Sequence, residues 1–283
     1  MSCQSCSTVP KTAGVSPTQF NSENLYTWCT MCGNYGIHSA IKRALSAEEI
    51  APKDVLLCFD IGCNGNGSDK IEGYRVHGLH GRVLPLAAGA SISNRGVQVI
   101  AMAGDGATLS EGINHLIHAV RCNYPMVFLI HNNANYGLTT GQASSTTPQD
   151  VSMTASPDGL IGQTLSISDL VLSSGASFFA RGFSGNIHQL ESLIRQGIQH
   201  DGLAVIEILQ SCPTYNKAMT HEWYLERLFD VADQPDYDLT NLSIAREIAH
   251  DSVEKIATGL LYKSSSVPCF LTGFHIEMIM LRI

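Results

Sequence analysis

Two apolar strands, each followed closely by a polar turn, constrain this chain more than any other feature. The run VQVIAMA at 97–103 leads into Gly-Asp-Gly at 104–106, and the run MVFLI at 126–130 is followed shortly by Asn132-Asn133. Both runs have the continuous apolar character of strands that are buried on two faces in a parallel sheet. Because open α/β sheets hold their ligands at the carboxyl ends of such strands, we expect Asp105 and Asn133 to share one site.

The residue types at these two strand ends suit a magnesium and diphosphate site. Asp105 and Asn133 offer the hard oxygen ligands that Mg²⁺ prefers, and Mg²⁺ in proteins usually keeps ligand phosphates in its coordination shell. Gly104 and Gly106 let the backbone approach a diphosphate closely. Asp105 could instead only cap the helix that follows it, which is a common role for Asp, but its pairing with Asn133 favours the metal site.

The bulk composition excludes several function classes. The net charge of −8 argues against non-specific nucleic-acid binding, which depends on basic patches. No run of 18 apolar residues is present, so we expect no membrane span. Residues 1–14 lack a hydrophobic signal segment, which indicates a cytoplasmic protein. Charged residues make up 15% of the chain, below the roughly 25% of an average soluble domain, and this favours coverage by another subunit.

Strand and helix patterns alternate along most of the 283 residues, which predicts an α/β fold with a mostly parallel sheet and helices on both faces. The stretch 60–81 is rich in glycine, and we expect it to be one long loop. For domains we predict an irregular tail at 1–25, a main domain at 26–232 and a C-terminal extension at 233–283. The predicted strands are 54–59, 97–103, 126–130, 177–181 and 203–209, and the predicted helices are 34–45, 83–92, 110–121, 168–174 and 187–200.

Nine cysteines are many for a cytoplasmic chain, in which clustered cysteines are more often metal ligands or catalysts than disulfides. Cys29 and Cys32 form a CxxC, whereas Cys63 and Cys212 each follow a predicted strand, so the four could converge at one edge of the sheet. Four thiolates suit either a structural Zn²⁺ or a [4Fe–4S] cluster, and the pattern leaves both open. The other five are expected in the core (Cys58, Cys122), in packing (Cys269) or as an incidental CxxC in the tail (Cys3, Cys6).

A series of short motifs between Trp28 and about Trp223 resembles the β subunits of 2-oxoacid:ferredoxin oxidoreductases. Many short motifs in the right order make the resemblance specific, although no single motif would be. They are WCxxCGNYG at 28–36, IGCxG at 61–65, HGRxxP at 80–85, GDG at 104–106, GxNH at 112–115, HAxR at 118–121, NNxxYGLTTGQAS at 132–144 and CPTYN at 212–216.

This resemblance implies a role for each matching residue. The match to the [4Fe–4S] ligands falls on Cys29, Cys32, Cys63 and Cys212. The match to the magnesium ligands falls on Asp105, Asn133 and the main-chain carbonyl of Asn135. Contacts to thiamine diphosphate are implied for Gly104, Asp105, Gly106, Asn133, Tyr136, Gly137 and Leu138. Catalytic positions are implied for His80, in the cofactor pocket, and for Thr139 and Gln142, where the cofactor and substrate loop begins.

The resemblance also implies an activity, namely oxidative decarboxylation of a 2-oxoacid to an acyl-CoA and CO₂. The implied cofactors are thiamine diphosphate, Mg²⁺ and a [4Fe–4S] cluster, with coenzyme A as co-substrate and ferredoxin as electron acceptor. An α subunit is an expected partner, because no glutamate in this chain matches the one that activates the cofactor. Two alternatives stay open: a non-redox thiamine diphosphate decarboxylase or synthase subunit, and an inactive, zinc-stabilised assembly subunit.

Several residues depart from the family pattern. Thr30 and Met31 stand where relatives usually have Pro and Gly inside the CxxC. Asn66 stands where many relatives have Lys or Arg, a basic residue that could pair with the carboxylate of the substrate. Which 2-oxoacid is used, pyruvate or 2-oxoglutarate among others, is therefore open.

Overall fold

The computed structural model describes residues 6–250, 254–264 and 266–272. Within these residues the chain forms one sheet flanked by helices. The strands are β1 (Val55–Phe59), β2 (Tyr74–His77), β3 (Gln98–Gly104), β4 (Met126–Asn132), β5 (Phe178–Phe183), β6 (Leu203–Leu209), β7 (Leu228–Asp230) and β8 (Ile256–Lys263). The helices are α1 (Asn34–Ala47), α2 (Val83–Ser93), α3 (Ile113–Cys122), α4 (Ile167–Ser173), α5 (Ile187–Ile198), α6 (His221–Leu225) and α7 (Leu242–Ala249).

The sheet has the strand order β2-β1-β3-β4-β6-β5-β8-β7. The first six strands in this order are parallel, β8 runs antiparallel to β5, and β7 runs parallel to β8. The turns after β1, β3, β4 and β6 therefore leave the sheet at the same edge. The predicted fold class, a mostly parallel α/β sheet, is confirmed.

Helices on both faces bury the central strands along nearly their whole length. Along β3, Ile100 and Met102 pack with α1 and α5, whereas Val99, Ala101 and Ala103 pack with α2, α3, α4 and α7. Because successive side chains of a strand point to opposite faces, an unbroken apolar run is needed to serve both cores. The same requirement explains the run in β4, where residues 126–131 are all buried.

Two local predictions were wrong. The stretch 60–81 is not one loop, because Tyr74–His77 forms β2 at the edge of the sheet beside β1. This edge strand is four residues long and mostly exposed, so it has no buried apolar run that would reveal it. The helix predicted from residue 110 begins at Ile113, after a π-helical turn at Ala107–Glu111.

The two ends of the described chain are joined by a disulfide that the sequence pattern did not predict. Cys6 bonds to Cys269, with 6.8 Å between their Cα atoms. The Cys6 backbone is also held, since its N–H donates to Asp201 and its carbonyl accepts from the Arg95 guanidinium. Cys3 lies outside the described residues. The domain boundaries proposed at residues 26 and 233 stay predictions.

No helix among the described residues is long and apolar enough to cross a membrane.

A buried ion pair links two neighbouring strands. The Nε of Arg181 on β5 donates to Oε2 of Glu207 on β6 at 2.8 Å, and the two side chains are 1% and 2% exposed. The other oxygen of Glu207 accepts from the amide of Asn132 at 2.8 Å. A buried carboxylate in this position depends on its cation, because desolvation of a lone charge is costly.

We predict that Arg181→Met lowers the free energy of unfolding by about 3–5 kcal/mol, since it leaves the Glu207 carboxylate buried without its guanidinium partner. Arg75→Met is the matched control, because Arg75 pairs with Glu72 at 3.4 Å on the surface and its loss should cost less than about 1 kcal/mol. Urea unfolding followed by circular dichroism measures both variants. Equal losses in the two would contradict a stabilising buried pair.

Candidate active site

The turns that follow the central strands enclose one cavity at the carboxyl edge of the sheet. The cavity brings together Cys63 and, among the residues predicted for magnesium, cofactor or catalysis, His80, Gly104, Asp105, Gly106, Asn133, Asn135, Tyr136, Gly137, Leu138 and Thr139. The remaining predicted catalytic residue, Gln142, lies next to the cavity. Its side-chain amide donates to the carbonyl of Thr139 at 2.7 Å and accepts from the Thr139 hydroxyl at 2.5 Å.

Asp105 is a buried carboxylate at the end of β3. Its side chain is 1% exposed and accepts hydrogen bonds from the hydroxyls of Ser144 and Thr146. Burial raises the pKa of the Asp105 carboxyl to about 6, while these two hydroxyls act in the opposite direction. A carboxylate buried here with only neutral donors around it is suited to bind a cation.

The two glycines beside Asp105 serve different purposes. A Cβ on Gly106 would lie 2.4 Å from Cε1 of Tyr136, so glycine is required for the tyrosine ring to pack there. A Cβ on Gly104 would meet no protein atom within 4 Å, although Gly104 lines the cavity. The backbone at Gly104 is therefore open to close approach by a bound group such as a diphosphate.

The turn after β4 holds a strained residue between the two asparagines of the predicted metal site. Ala134 has a φ of 53°, a left-handed conformation that costs a residue with a Cβ on the order of 1 kcal/mol. The turn is fixed by hydrogen bonds from the Asn135 N–H to Oδ1 of Asn133 at 3.2 Å and from the Asn216 amide to the Asn133 carbonyl at 3.1 Å. Both Asn133 and Asn135 are buried and face the cavity.

Polar side chains line the mouth of the cavity. The Tyr136 hydroxyl donates to Glu111 at 3.1 Å, and Nδ1 of His80 lies 3.8 Å from the same carboxylate. Burial raises the pKa of Tyr136 to about 12, and the Glu111 charge adds to the rise. The tyrosine therefore stays protonated and keeps its hydrogen-bond donor near neutral pH.

The four cysteines predicted to bind a cluster lie close enough for the charges of three of them to affect the pKa of Cys63, which lines the cavity. Burial raises the pKa of the Cys63 thiol to about 12, and the charges of Cys32, Cys212 and Cys29 add to the rise. The loops that carry them are joined, because the N–H of Gly33 donates to the Ser211 carbonyl and the Trp28 indole donates to the Cys63 carbonyl. Among residues 6–250, 254–264 and 266–272, however, no three His, Cys, Asp or Glu side chains already stand in metal-binding geometry.

Buried polar atoms without a hydrogen-bond partner are concentrated around these cysteines. Asn64 follows Cys63, and the carbonyl oxygen of the Gln210 side chain is unpaired although its amide donates to Cys32 Sγ at 3.7 Å. The atoms concerned, among the described residues, are both ring nitrogens of His38, both amide atoms of Asn64, Nε2 of His131, Oγ of Ser184 and Oε1 of Gln210. Buried polar groups normally have partners, so this set fits a bound polar group between the sheet and the CxxC loop.

His131 lines the cavity and is linked to Cys32 of the CxxC through the side chain of Asn34. Its Nδ1 bonds to Oδ1 of Asn34 at 3.0 Å, and the Asn34 amide in turn donates to Cys32 Sγ at 3.6 Å. Burial lowers the pKa of His131 to about 3, so the ring is neutral near pH 7. Because Asn34 supplies an acceptor, Nδ1 carries the proton and Nε2 is left as an acceptor at the cavity wall.

The departures from the family pattern have structural consequences. Met31 has a φ of 63°, the left-handed conformation that favours glycine, and its side chain is 73% exposed. The side-chain amide of Asn66 donates to the Thr27 hydroxyl at 2.7 Å, and Asn66 does not line the cavity. Asn66 thus helps to hold the segment that leads into the CxxC.

Several residues of the site were missed by sequence reasoning. Ser144 and Thr146 lie in the polar run QASSTT at 142–147, whose residue types alone give no indication that it supports Asp105. The sequence around Glu111 and around His131 contains no motif that identifies either residue as part of the site. Each gains its role from contacts far apart in sequence, such as the pair formed by His131 and Asn34.

Two family models match the chain. One, described as the C-terminal TPP-binding domain of thiamine pyrophosphate enzymes, matches residues 60–208. The other, described as the C-terminal part of the pyruvate ferredoxin oxidoreductase β subunit, matches residues 212–275. Together they span nearly all of the residues that line the cavity and residues 212–275, whereas strand β1 and the CxxC lie outside both matches.

Individual relatives and a solved structure agree with these models. The chain is 39% identical over 213 residues to the 2-oxoacid:ferredoxin oxidoreductase subunit beta of Saccharolobus solfataricus, covering 75% of this chain and 70% of the relative. It is 37% identical over 256 residues to the same subunit of a Sulfolobus species, covering 86% and 83%. A 2-oxoglutarate:ferredoxin oxidoreductase from Magnetococcus marinus, solved with 2-oxoglutarate, coenzyme A and succinyl-CoA bound, superposes with a TM-score of 0.89 at 29% identity, covering 96% of this chain and 97% of that one.

The predicted resemblance is therefore confirmed on the same stretch of chain that forms the cavity: this protein belongs to the family of 2-oxoacid:ferredoxin oxidoreductase β subunits and carries a thiamine pyrophosphate-binding domain.

Proposed function

We propose that this chain is the β subunit of an enzyme that oxidatively decarboxylates a 2-oxoacid to an acyl-CoA and CO₂. Thiamine diphosphate is its cofactor, and electrons pass through a [4Fe–4S] cluster to a ferredoxin. The observation that carries the proposal is the single cavity shared by Asp105, Asn133, Asn135 and Cys63. A cavity that joins these oxygen donors to Cys63, one of four cysteines that influence one another electrostatically, fits a thiamine diphosphate enzyme that also transfers electrons.

The diphosphate end of the cofactor would be held by magnesium at the GDG turn. Asp105 supplies a carboxylate, Asn133 an amide oxygen and Asn135 a main-chain carbonyl, which are the oxygen ligands that suit Mg²⁺. Gly104 leaves the backbone open to the phosphates, and the buried position of Asp105 keeps water from competing for the ion. Tyr136, Gly137 and Leu138 form the wall that would contact the cofactor, with His80 at the mouth.

When bound, thiamine diphosphate supplies the nucleophilic carbon and the electron sink that decarboxylation of a 2-oxoacid requires. The residues of this chain position the reactants. Thr139 and Gln142, held to each other by two hydrogen bonds, present the start of the substrate loop. The protonated Tyr136 hydroxyl holds Glu111 beside His80, which fixes the polar groups at the mouth where the substrate would enter.

The cysteine neighbourhood supports an iron–sulfur cluster at the CxxC. Thiols as buried as Cys63 remain protonated unless a cation stabilises the thiolate, and metal binding releases those protons. Asn34 and Gln210 already direct amide donors to Cys32 Sγ. Such donors favour a charged, ligating sulfur and are among the features that set the potential of protein-bound clusters.

The names of the relatives and the exposed apolar side chains near the cavity both bear on the proposed partners of this chain. Relatives are named as β subunits, which supports an α subunit as partner. Leu79 and Leu138 are 77% and 51% exposed in the loops around the cavity, where an adjoining subunit would cover them. The substrates of the Magnetococcus marinus enzyme support a 2-oxoacid and coenzyme A as the substrate class.

We predict that Asp105→Ala abolishes Mg²⁺-dependent binding of thiamine diphosphate. The loss of affinity should exceed the roughly 10- to 100-fold that follows removal of a residue that only hydrogen-bonds to a metal ligand, because Asp105 is a proposed ligand itself. Calorimetric titration of the α–β complex with thiamine diphosphate in the presence of Mg²⁺ measures the affinity. Asp158→Ala, in an exposed loop, is the control and should bind as the unaltered complex does. Full affinity in Asp105→Ala would remove the basis of the proposed site.

We predict about four irons and four sulfides per chain after anaerobic purification of the complex, with broad absorption near 400 nm. Cys32→Ser and Cys212→Ser should lose both the iron and the colour. Cys122→Ser is the control, since this thiol lies near His118 and Tyr124 and away from the four cysteines. One zinc per chain without colour would instead favour the zinc-stabilised or non-redox alternatives.

A further inference from the structure

The loop at residues 144–147 forms hydrogen bonds to the side chain of Asp105, the proposed magnesium ligand. The hydroxyls of Ser144 and Thr146 both donate to Oδ2 of Asp105, the latter at 2.5 Å, and neither donates to Oδ1. Ser144 and Thr146 are 4% and 8% exposed. These two donors restrict the rotation of the carboxylate, which also accepts hydrogen bonds from the backbone N–H groups of Asp105 and Gly106.

The same loop is tied to the turn that carries the other two magnesium candidates. The Thr147 hydroxyl donates to the Ala134 carbonyl at 2.7 Å and accepts from the Ser144 N–H at 2.8 Å. Residues 144–147 therefore connect the Asp105 turn after β3 with the Asn133–Asn135 turn after β4. The distance between the two halves of the metal site depends on this loop.

Asn132 offers the Thr146 hydroxyl a second acceptor besides Asp105. Thr146 Oγ1 lies 3.0 Å from Oδ1 of Asn132, and the Asn132 amide donates to the carboxylate of Glu207. Glu207, paired to Arg181, can only accept, so it fixes the Asn132 amide with its oxygen toward Thr146. Thr146 has one proton and two acceptors, and the charged Asp105 oxygen is the stronger of the two.

We propose that Thr146, together with Ser144, is a positioning residue for metal binding. Through these hydroxyls the loop 144–147 holds Oδ2 of Asp105 and would keep the carboxylate in the orientation that binds the ion. The proposal rests on the magnesium role proposed above for Asp105. It assigns to Thr146 a function in Mg²⁺ affinity, and not in the chemical step, because its hydroxyl contacts the proposed ligand and not the substrate.

The test is a Mg²⁺ titration of the α–β complex at saturating thiamine diphosphate, followed by the change in protein fluorescence. Thr146→Val removes the hydroxyl and keeps the shape, whereas Thr146→Ser keeps the hydroxyl. We expect Thr146→Val to weaken apparent Mg²⁺ affinity about 10- to 100-fold, Thr146→Ser to stay within about threefold, and kcat at saturating Mg²⁺ to be retained. Thr240→Val, far from the site and exposed, should change nothing.

The outcomes separate this inference from the proposed function. If Asp105→Ala loses Mg²⁺-dependent cofactor binding while Thr146→Val retains full Mg²⁺ affinity, the positioning role of Thr146 is overturned. The proposed magnesium site at Asp105 is then retained. If neither variant changes the affinity, the assignment of the metal site itself is overturned. A fall in kcat at saturating Mg²⁺, with unchanged affinity, would also contradict the proposal. Should Thr146→Val fail to fold, as judged by thermal unfolding, Ser144→Ala removes the other hydroxyl and must weaken Mg²⁺ affinity.

Discussion

The parallel register of four central strands is the constraint on which the rest of this structure depends. Phe59 pairs with Met102, Gly104 with His131 and Asn132 with Leu209, so β1, β3, β4 and β6 end at nearly the same level. Their polar turns therefore open onto one cavity. Helices on both faces keep the strands in this register because the alternating side chains serve two separate cores.

The electrostatics at this edge of the sheet supports the cations that we propose there. Asp105 is buried with a raised pKa, Cys63 is a thiol with a pKa near 12, and unpaired polar atoms surround the cysteines. At a site that buries an acid and thiols, a bound metal ion would supply the balancing charge and release the protons. Glu207, paired with Arg181, accepts from the Asn132 amide, and the Asn132 side-chain oxygen lies 3.0 Å from the Thr146 hydroxyl, which donates to Asp105.

Much of the fold and the cavity could be predicted from the sequence, because both rest on local patterns. The apolar runs before Asp105 and Asn133 identify buried parallel strands, and strand ends in such sheets meet at one edge. The edge strand β2 could not be predicted, since exposed residues carry no burial signal. Ser144, Thr146 and His131 were missed for a different reason: the two hydroxyls lie in a polar loop and His131 ends a buried strand, and only tertiary contacts give these three their roles. The Cys6–Cys269 bond likewise depends on two chain ends that meet only in the folded protein.

Anomalous diffraction from anaerobically grown crystals of the α–β complex with Mg²⁺ and thiamine diphosphate tests the central claim most directly. Data collected on both sides of the iron and zinc absorption edges identify the metal and place it. We predict iron peaks among the sulfurs of Cys29, Cys32, Cys63 and Cys212, with the cofactor diphosphate between Asp105 and Asn133 in the same crystal. A zinc signal at the cysteines, or a cofactor bound away from Asp105, would contradict the account.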